Sequence, residues 1–276
     1  MKTVYKDGGV LITDDFSPAL TFNCGQCFRF SERGGAWEGV AFGQTLTARE
    51  TPDGVLLGCS QDSFHNIWRG YLDLGRDYAA ARGRIGVNAF MREAADFGRG
   101  IRILRQDFWE ALCSFIISQN NNIPRIRGVI ERLCAYCGSE ADGPHPFPDA
   151  EVVSRLSVDE LRGLGAGYRA EYIVGAARAV SDGELSAAML NALSVEDARE
   201  ALTRVRGVGV KVADCVLLYG LGRMDAFPQD VWMKRAMAAY FPNGLPEAAE
   251  AYAGIAQQYI FHYARAHLQR ATGPFP

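Results

Sequence analysis

Lysine is scarce in this chain: only Lys2, Lys6, Lys211 and Lys234 among its 29 basic residues are not arginine. Arginine stays protonated and cannot supply a nucleophilic amine, so an internal lysine here raises the question of what an arginine could not do. Long apolar runs are also missing, and none approaches the ~20 residues of a membrane-spanning helix. The opening Met1-Lys2-Thr3-Val4-Tyr5-Lys6-Asp7 carries no apolar core of the secretory kind. The expectation is a cytoplasmic protein without a membrane partner, nucleoid-associated if bacterial. Excess positive charge is absent too. A net charge of -3 argues against a basic protein that coats nucleic acid and leaves room only for a local basic face. Between Ala81 and Arg132, nine arginines stand against five acids, a stretch that reads equally as a solvated helix face or a binding surface.

Metal-binding patterns are equally thin. His65, His145, His262 and His267 form no H-x-x-x-H or H-E-x-x-H spacing. Seven cysteines, an odd number, suit reduced thiols better than a disulfide framework. The pairs Cys24/Cys27 and Cys134/Cys137 lie over a hundred residues apart, whereas zinc ribbons place such pairs ~15–20 residues apart. Cys24 to Cys27 also reads as strand, where positions three apart face opposite ways. No metal site is expected.

The 276 residues suffice for one large domain or two modest ones. The runs Val10–Thr13, Cys27–Phe30, Trp37–Phe42 and Gln44–Ala48 are β-prone and are punctuated by Gly34-Gly35 and Pro52-Asp53-Gly54. From Phe64, Ile67, Trp68 and Leu72 onward the apolar spacing becomes helical. Helices are predicted at 108–118, 123–133, 151–183, 194–205, 209–221, 229–240 and 246–268, with a polar surface loop at 138–149. The fold class is therefore α+β: an N-terminal antiparallel sheet domain with flanking helices, 1–98, and a helical body, 99–276.

The most informative stretch runs from Leu202 to Cys215, where an amphipathic helix enters Gly207-Val208-Gly209 and a second helix starts at once. Two glycines permit the tight reversal, and free amides at the second helix start offer a phosphate site. This is a helix-hairpin-helix pattern, about 196–221, of the kind that grips a DNA backbone without reading bases. The same glycines also fit a ligand-free turn between packed helices. Lys211 sits in the first turn of the second helix, with Cys215 one turn later on the same face. The positive helix end and apolar neighbours push such an amine toward its neutral, nucleophilic form. Pro228 then breaks the chain, and Asp230, nineteen residues after Lys211, reads as the cap of the next helix. An amine and a carboxylate at two helix starts fit a nucleophile and a stabiliser of positive charge.

A hairpin lysine followed by Pro-x-Asp resembles the helix-hairpin-helix DNA glycosylases. Three further segments resemble their 8-oxoguanine branch: Phe22–Arg29 its Gly-Gln-x-Phe-Arg strand, Ile117–Ile126 its Asn-rich wedge, and Leu164–Ala170 its Gly-Tyr-Arg turn. The resemblance implies excision of 8-oxoguanine opposite cytosine from double-stranded DNA by a monomeric glycosylase with lyase activity. Lys211 would be the nucleophile and Asp230 the electrostatic partner. The Gly25 carbonyl would meet the N7 hydrogen that guanine lacks, Cys215 and Phe261 would sandwich the base, and Gln257 would read its Watson–Crick edge. Asn120 would fill the vacated stack, Tyr168 would wedge beside it, and Arg125 and Arg169 would hold the orphaned cytosine. Gly207 and Gly209 would hold the DNA backbone. On the residues alone, the Asn run also fits a turn or helix cap, and Phe261 fits core packing. Trp232 stands where some relatives carry His, and Gln229 where Val is frequent.

No cofactor is implied, although a structural cation at the hairpin is left open. The endonuclease III and adenine glycosylase branches carry a C-terminal four-Cys iron–sulfur loop, and no Cys follows Cys215 here. The alkyl-base branch normally lacks the hairpin lysine. A non-catalytic DNA-binding hairpin module would not need Lys211 with Asp230, and an aldolase-like lysine enzyme would show no DNA affinity and often a barrel repeat, which is absent here.

Overall fold

The computed structural model describes residues 3–138 and 145–267. Six antiparallel strands form one sheet in the order β1-β2-β6-β5-β4-β3. They are β1 Thr3–Lys6, β2 Gly9–Ile12, β3 Phe30–Arg33, β4 Ala36–Ala41, β5 Gln44–Thr51 and β6 Gly54–Gly58. In β5, Leu46 and Ala48 are buried while Thr45 and Thr47 are exposed, the alternation of a sheet with one covered face. The two-residue β3–β4 loop needs left-handed backbone at both positions, and Gly34 (φ 55°) and Gly35 (φ 72°) supply it. The covered face packs on Phe22, Trp68 and Leu72, with Phe22 and Phe30 stacked 4.0 Å apart.

The sequence reading of Cys24–Phe30 as strand is corrected here. Pro18–Asn23 is a helix, capped by Ser17 and started by proline, and the next strand begins only at Phe30. Tertiary hydrogen bonds override β propensity in between. The buried Gln26 side chain donates to the carbonyls of Thr21 (2.9 Å) and Arg102 (2.8 Å) and accepts from the Leu104 amide (2.9 Å). Cys24 and Cys27 are free, buried thiols, and burial pushes Cys24 up to about 12 and Cys27 well above its ordinary value.

The helical body is built round Phe108–Ser118, buried from Phe108 through Ile117 and capped by Asp107. Ile123–Cys137 follows, longer than predicted by one turn. The predicted 151–183 helix is divided into Ala150–Ser154, Val158–Gly163, a 3-10 turn at Gly167–Arg169, and Ala170–Ser181. Ser157 and Glu160 form a capping box that restarts the chain inside this stretch. The second hairpin helix, Val210–Cys215, continues as a π-helical turn over Val216–Gly220. Residues 139–144 of the predicted surface loop, and residue 268 of the last predicted helix, lie outside the described residues.

Two apolar cores meet along residues 22–30. Phe22, Cys27 and Phe30 belong to the sheet core, whereas Cys24 and Phe28 belong to the helical core. Gly25 is thereby held at the seam. Behind it, Gln106 donates to the Gln26 carbonyl (2.6 Å) and, through its backbone amide, to the Tyr219 carbonyl (2.7 Å), which ties the seam to the π-helical end of the second hairpin helix.

On the central helix, burial pushes the Glu110 carboxyl up to about 7 despite Arg29 at 3.9 Å. An unfolded glutamate ionises near 4.5. Stability therefore falls as pH rises from that value to about 7 and levels off beyond it, a total of about 3 kcal/mol. Thermal denaturation across pH 4 to 8 is expected to show this decline in the parent protein and a flatter profile in Glu110→Gln. Parallel profiles for the two proteins would refute it.

Candidate active site

The hairpin consists of Val195–Thr203, a turn through Gly209, and Val210–Cys215. Arg199 and the buried Asp214 join its two helices at 2.6 Å. Burial nevertheless raises the Asp214 carboxyl above its ordinary value. Gly207 has φ 86°, and a Cβ there would lie 2.2 Å from the Tyr172 ring. Both backbone and packing demand glycine at that position. Gly209 is the N-cap of the second helix and makes no side-chain cap, with open space around it. That geometry leaves the helix start accessible to an anion.

Lys211 points from this helix into a narrow cleft. The cleft is lined by Cys24, Gly25, Phe115, Lys211, Cys215, Tyr219, Pro228, Asp230, Gln257, Gln258 and Phe261. The Lys211 Nζ lies 5.3 Å from the centre of the Phe115 ring, with the Cys215 thiol one turn along the same helix. Burial raises that thiol above its ordinary value, with the lysine acting in opposition. Asp230 does cap Val231–Tyr240, accepting from the Met233 amide through Oδ1 at 2.8 Å. It lines the same cleft as Lys211, so capping and chemistry are compatible roles. Trp232 carries Arg235 over its ring at 5.5 Å.

The opposite wall comes from the seam and the last helix, Ala253–His267. Gly25 has φ 85°, and a Cβ there would approach only Phe261, at 4.0 Å. Gln257 is buried and Phe261 half-buried, one turn apart on that helix. The Tyr219 hydroxyl donates to Gln258 Oε1 at 2.6 Å and lies 3.3 Å from Gln257 Oε1. Gln258 in turn donates to the Cys24 carbonyl at 3.3 Å, next to Gly25. Burial pushes the Tyr219 phenol well up, so it stays a neutral donor. All six residues assigned to chemistry or the base pocket thus line one cleft.

The asparagine run divides its labour. Asn122 caps Ile123–Cys137, and Asn121 donates to the Ile117 carbonyl at 3.1 Å, so the turn-and-cap reading holds for these two. Asn120 is different: exposed, with left-handed backbone at φ 46°, its side chain 3.5 Å from the Tyr168 hydroxyl. Tyr168 is half exposed beside it, and Arg125 is exposed one turn into the next helix. Arg169 is buried. Its guanidinium donates to the Gln119 carbonyl (2.9 Å from Nε) and the Asn120 carbonyl (3.1 Å), and lies over the Tyr168 ring. It holds the turn in shape before it can meet any base.

Sequence reasoning missed Phe115, Tyr219, Gln258, Gln26, Gln106 and Gln119. Tyr219 follows Cys215 by one turn and could have been found by extending the Lys211–Cys215 face. The long-range glutamine bonds had no local signal. Among the described residues, no group of three or more His, Cys, Asp or Glu side chains is placed to hold a metal. No helix among them is long and apolar enough to cross a membrane.

Residues 113–254 match the model of the HhH-GPD superfamily base excision DNA repair proteins, and residues 10–112 match the 8-oxoguanine DNA glycosylase N-terminal domain. The fold and site accordingly define a helix-hairpin-helix base excision repair protein. Within that class, the chain belongs to the 8-oxoguanine DNA glycosylase family. It is 32% identical over 255 residues to the N-glycosylase/DNA lyase OGG1 of Arabidopsis thaliana, covering 84% of this chain and 67% of that protein. The N-glycosylase/DNA lyase of Saccharomyces cerevisiae is 42% identical over 153 residues, 50% of this chain and 41% of the yeast protein. The chain thus spans less than half the length of that relative. The 8-oxoguanine glycosylase/lyase of Clostridium acetobutylicum, solved with duplex DNA containing cytosine opposite 8-oxoG, superimposes with a TM-score of 0.88. It is 32% identical, over 97% of this chain and 99% of that one. A structure of MBOgg1 with a low-affinity DNA ligand reaches the same TM-score at 38% identity, over 96% and 99% of the two chains.

Proposed function

We propose that this protein excises 8-oxoguanine opposite cytosine from duplex DNA and then cleaves the strand by β-elimination. The observation that carries the reading is the convergence of Lys211 and Asp230 on one cleft with Gly25, Cys215, Gln257 and Phe261. Flipping the nucleotide costs a few kcal/mol of unstacking, which Asn120 and Tyr168 offset by filling the gap while Arg125 and Arg169 hold the orphaned cytosine. The amides beside Gly207 and Gly209 hold the phosphate backbone. In the cleft, the Gly25 carbonyl accepts from the N7 hydrogen of 8-oxoguanine; guanine would set one acceptor against another. Cys215 and Phe261 cover the two faces of the base, and Gln257 reads its edge.

The nitrogen lone pair of Lys211 attacks the sugar C1′, and the C1′–N9 bond breaks with its electron pair leaving on the base, which takes up a proton. Asp230 stabilises the positive charge that develops on the sugar. Loss of the ammonium proton and opening of the sugar ring give a Schiff base to Lys211. Loss of a C2′ proton to solvent then breaks the C3′–O bond, and the 3′ phosphate leaves with that electron pair. These steps call for no cofactor, and one chain supplies the whole cleft, in keeping with a monomer. Such work lies where the chromosome does, which places the protein in the cytoplasm, at the nucleoid if the cell is bacterial.

Borohydride reduction during turnover is expected to trap the protein on a duplex with one 8-oxoguanine opposite cytosine, and not on the undamaged duplex. Equal trapping on both, or none on either, would reject the reading. Asp230→Asn keeps an acceptor for the Met233 amide, so the fold should survive while excision falls about 10²-fold or more in single-turnover assays. Excision unchanged by that substitution would remove Asp230 from the chemistry.

A further inference from the structure

Gln119 lies between three elements that face the DNA and bonds to each of them. Its side-chain Nε2 donates to the Gly207 carbonyl in the hairpin turn at 2.9 Å, and to the Ile116 carbonyl at the end of its own helix at 3.2 Å. Its backbone carbonyl accepts from the guanidinium of Arg169, 2.9 Å from Nε, with the Tyr168 hydroxyl at 3.5 Å. The next residue is Asn120, in the left-handed conformation that asparagine tolerates better than most side-chain-bearing residues. The 119–120 segment is therefore clamped from two sides, by the hairpin through a side chain and by the Gly-Tyr-Arg turn through a buried arginine.

The Gly207 bond matters because of what Gly207 does. Its turn precedes the amides that grip the phosphate backbone, and its own geometry is fixed against the Tyr172 ring. A strut from that carbonyl to the residue before Asn120 sets the height of the wedge relative to the gripped backbone. We infer that Gln119 is a positioning residue for base flipping, coupling backbone grip at the hairpin to insertion of Asn120. This rests on the excision reading above and assigns Gln119 no contact with substrate.

The test compares two substrates in parent, Gln119→Leu and Gln119→Met, which remove the amide donor while keeping bulk. One is a duplex with 8-oxoguanine opposite cytosine, which must be flipped. The other carries a preformed abasic site opposite cytosine, where no base needs to leave the stack. Losing one neutral hydrogen bond at the strut is expected to slow lesion excision about tenfold in both variants. Strand cleavage at the abasic site should stay within about twofold of the parent. A nucleotide analogue whose fluorescence rises on unstacking, placed beside the lesion, should report slower opening in the variants. Equal loss on both substrates would mean a merely structural bond and overturn the inference, as would parent-like rates on both. Failure of the parent protein to excise 8-oxoguanine would instead strike the excision reading itself.

Discussion

Lys211→Gln is expected to eliminate the borohydride-trapped complex and to lower 8-oxoguanine excision on the order of 10³-fold or more. The size follows from the chemistry, because glutamine keeps a comparable length but offers no nucleophilic lone pair. The fold should survive. Lys211 is only partly buried, lines the cleft beside Cys215 and lies above Phe115, and glutamine can occupy the same space. Duplex affinity should fall by less than about tenfold, since the hairpin amides remain and only one charge is lost. A trapped adduct persisting in this variant would move the amine to another residue. Retained excision without trapping would make the protein a monofunctional glycosylase.

The second large effect lies in the turn. Gly207→Ala places a Cβ 2.2 Å from the Tyr172 ring at a residue with φ 86°. Backbone strain and overpacking together should cost about 2–5 kcal/mol and lower the melting temperature by several degrees. Gly209→Ala is the contrast, because that residue has ordinary φ and nothing lies within 4 Å of the added carbon. Its stability cost should be below about 1 kcal/mol, yet the new methyl stands where a phosphate must approach, so duplex binding should weaken. Calorimetry and duplex titration on both variants separate the two roles. A Gly207→Ala protein as stable as the parent would show that the Tyr172 ring moves aside freely.

Residues whose roles follow from local rules were legible in the sequence. The helix Phe108–Ser118 was bounded correctly because its apolar face and polar flanks are encoded within eleven residues. Asp230 as a cap and Gly207 as a turn residue rest on interactions within one or two turns of chain. The misread segment, Cys24–Phe30, is the one whose conformation depends on bonds to residues 102, 104 and 106. Its β-prone composition was a fair local signal, overruled by a buried glutamine that no periodicity marks. The division of the 151–183 helix had the opposite origin: Ser157 and Glu160 state the restart locally, but continuous apolar spacing masked it.

For the site, Lys211 and Asp230 were legible from the hairpin and the cap that follows it, whereas Gly25, Cys215, Gln257 and Phe261 joined them only through the resemblance to the 8-oxoguanine glycosylases. Side-chain type restricts which chemistry each can perform, and that information is one-dimensional. Only the tertiary structure decided how they are held. It placed Gly25 at the seam of two cores, linked Tyr219 to Gln257 and Gln258, and engaged Arg169 with backbone carbonyls. It also singled out Asn120 from its two capping neighbours and joined Gln119 to the hairpin. Each of these depends on a hydrogen bond or packing contact between residues far apart in sequence, and such contacts exist only once the two cores have closed on one another.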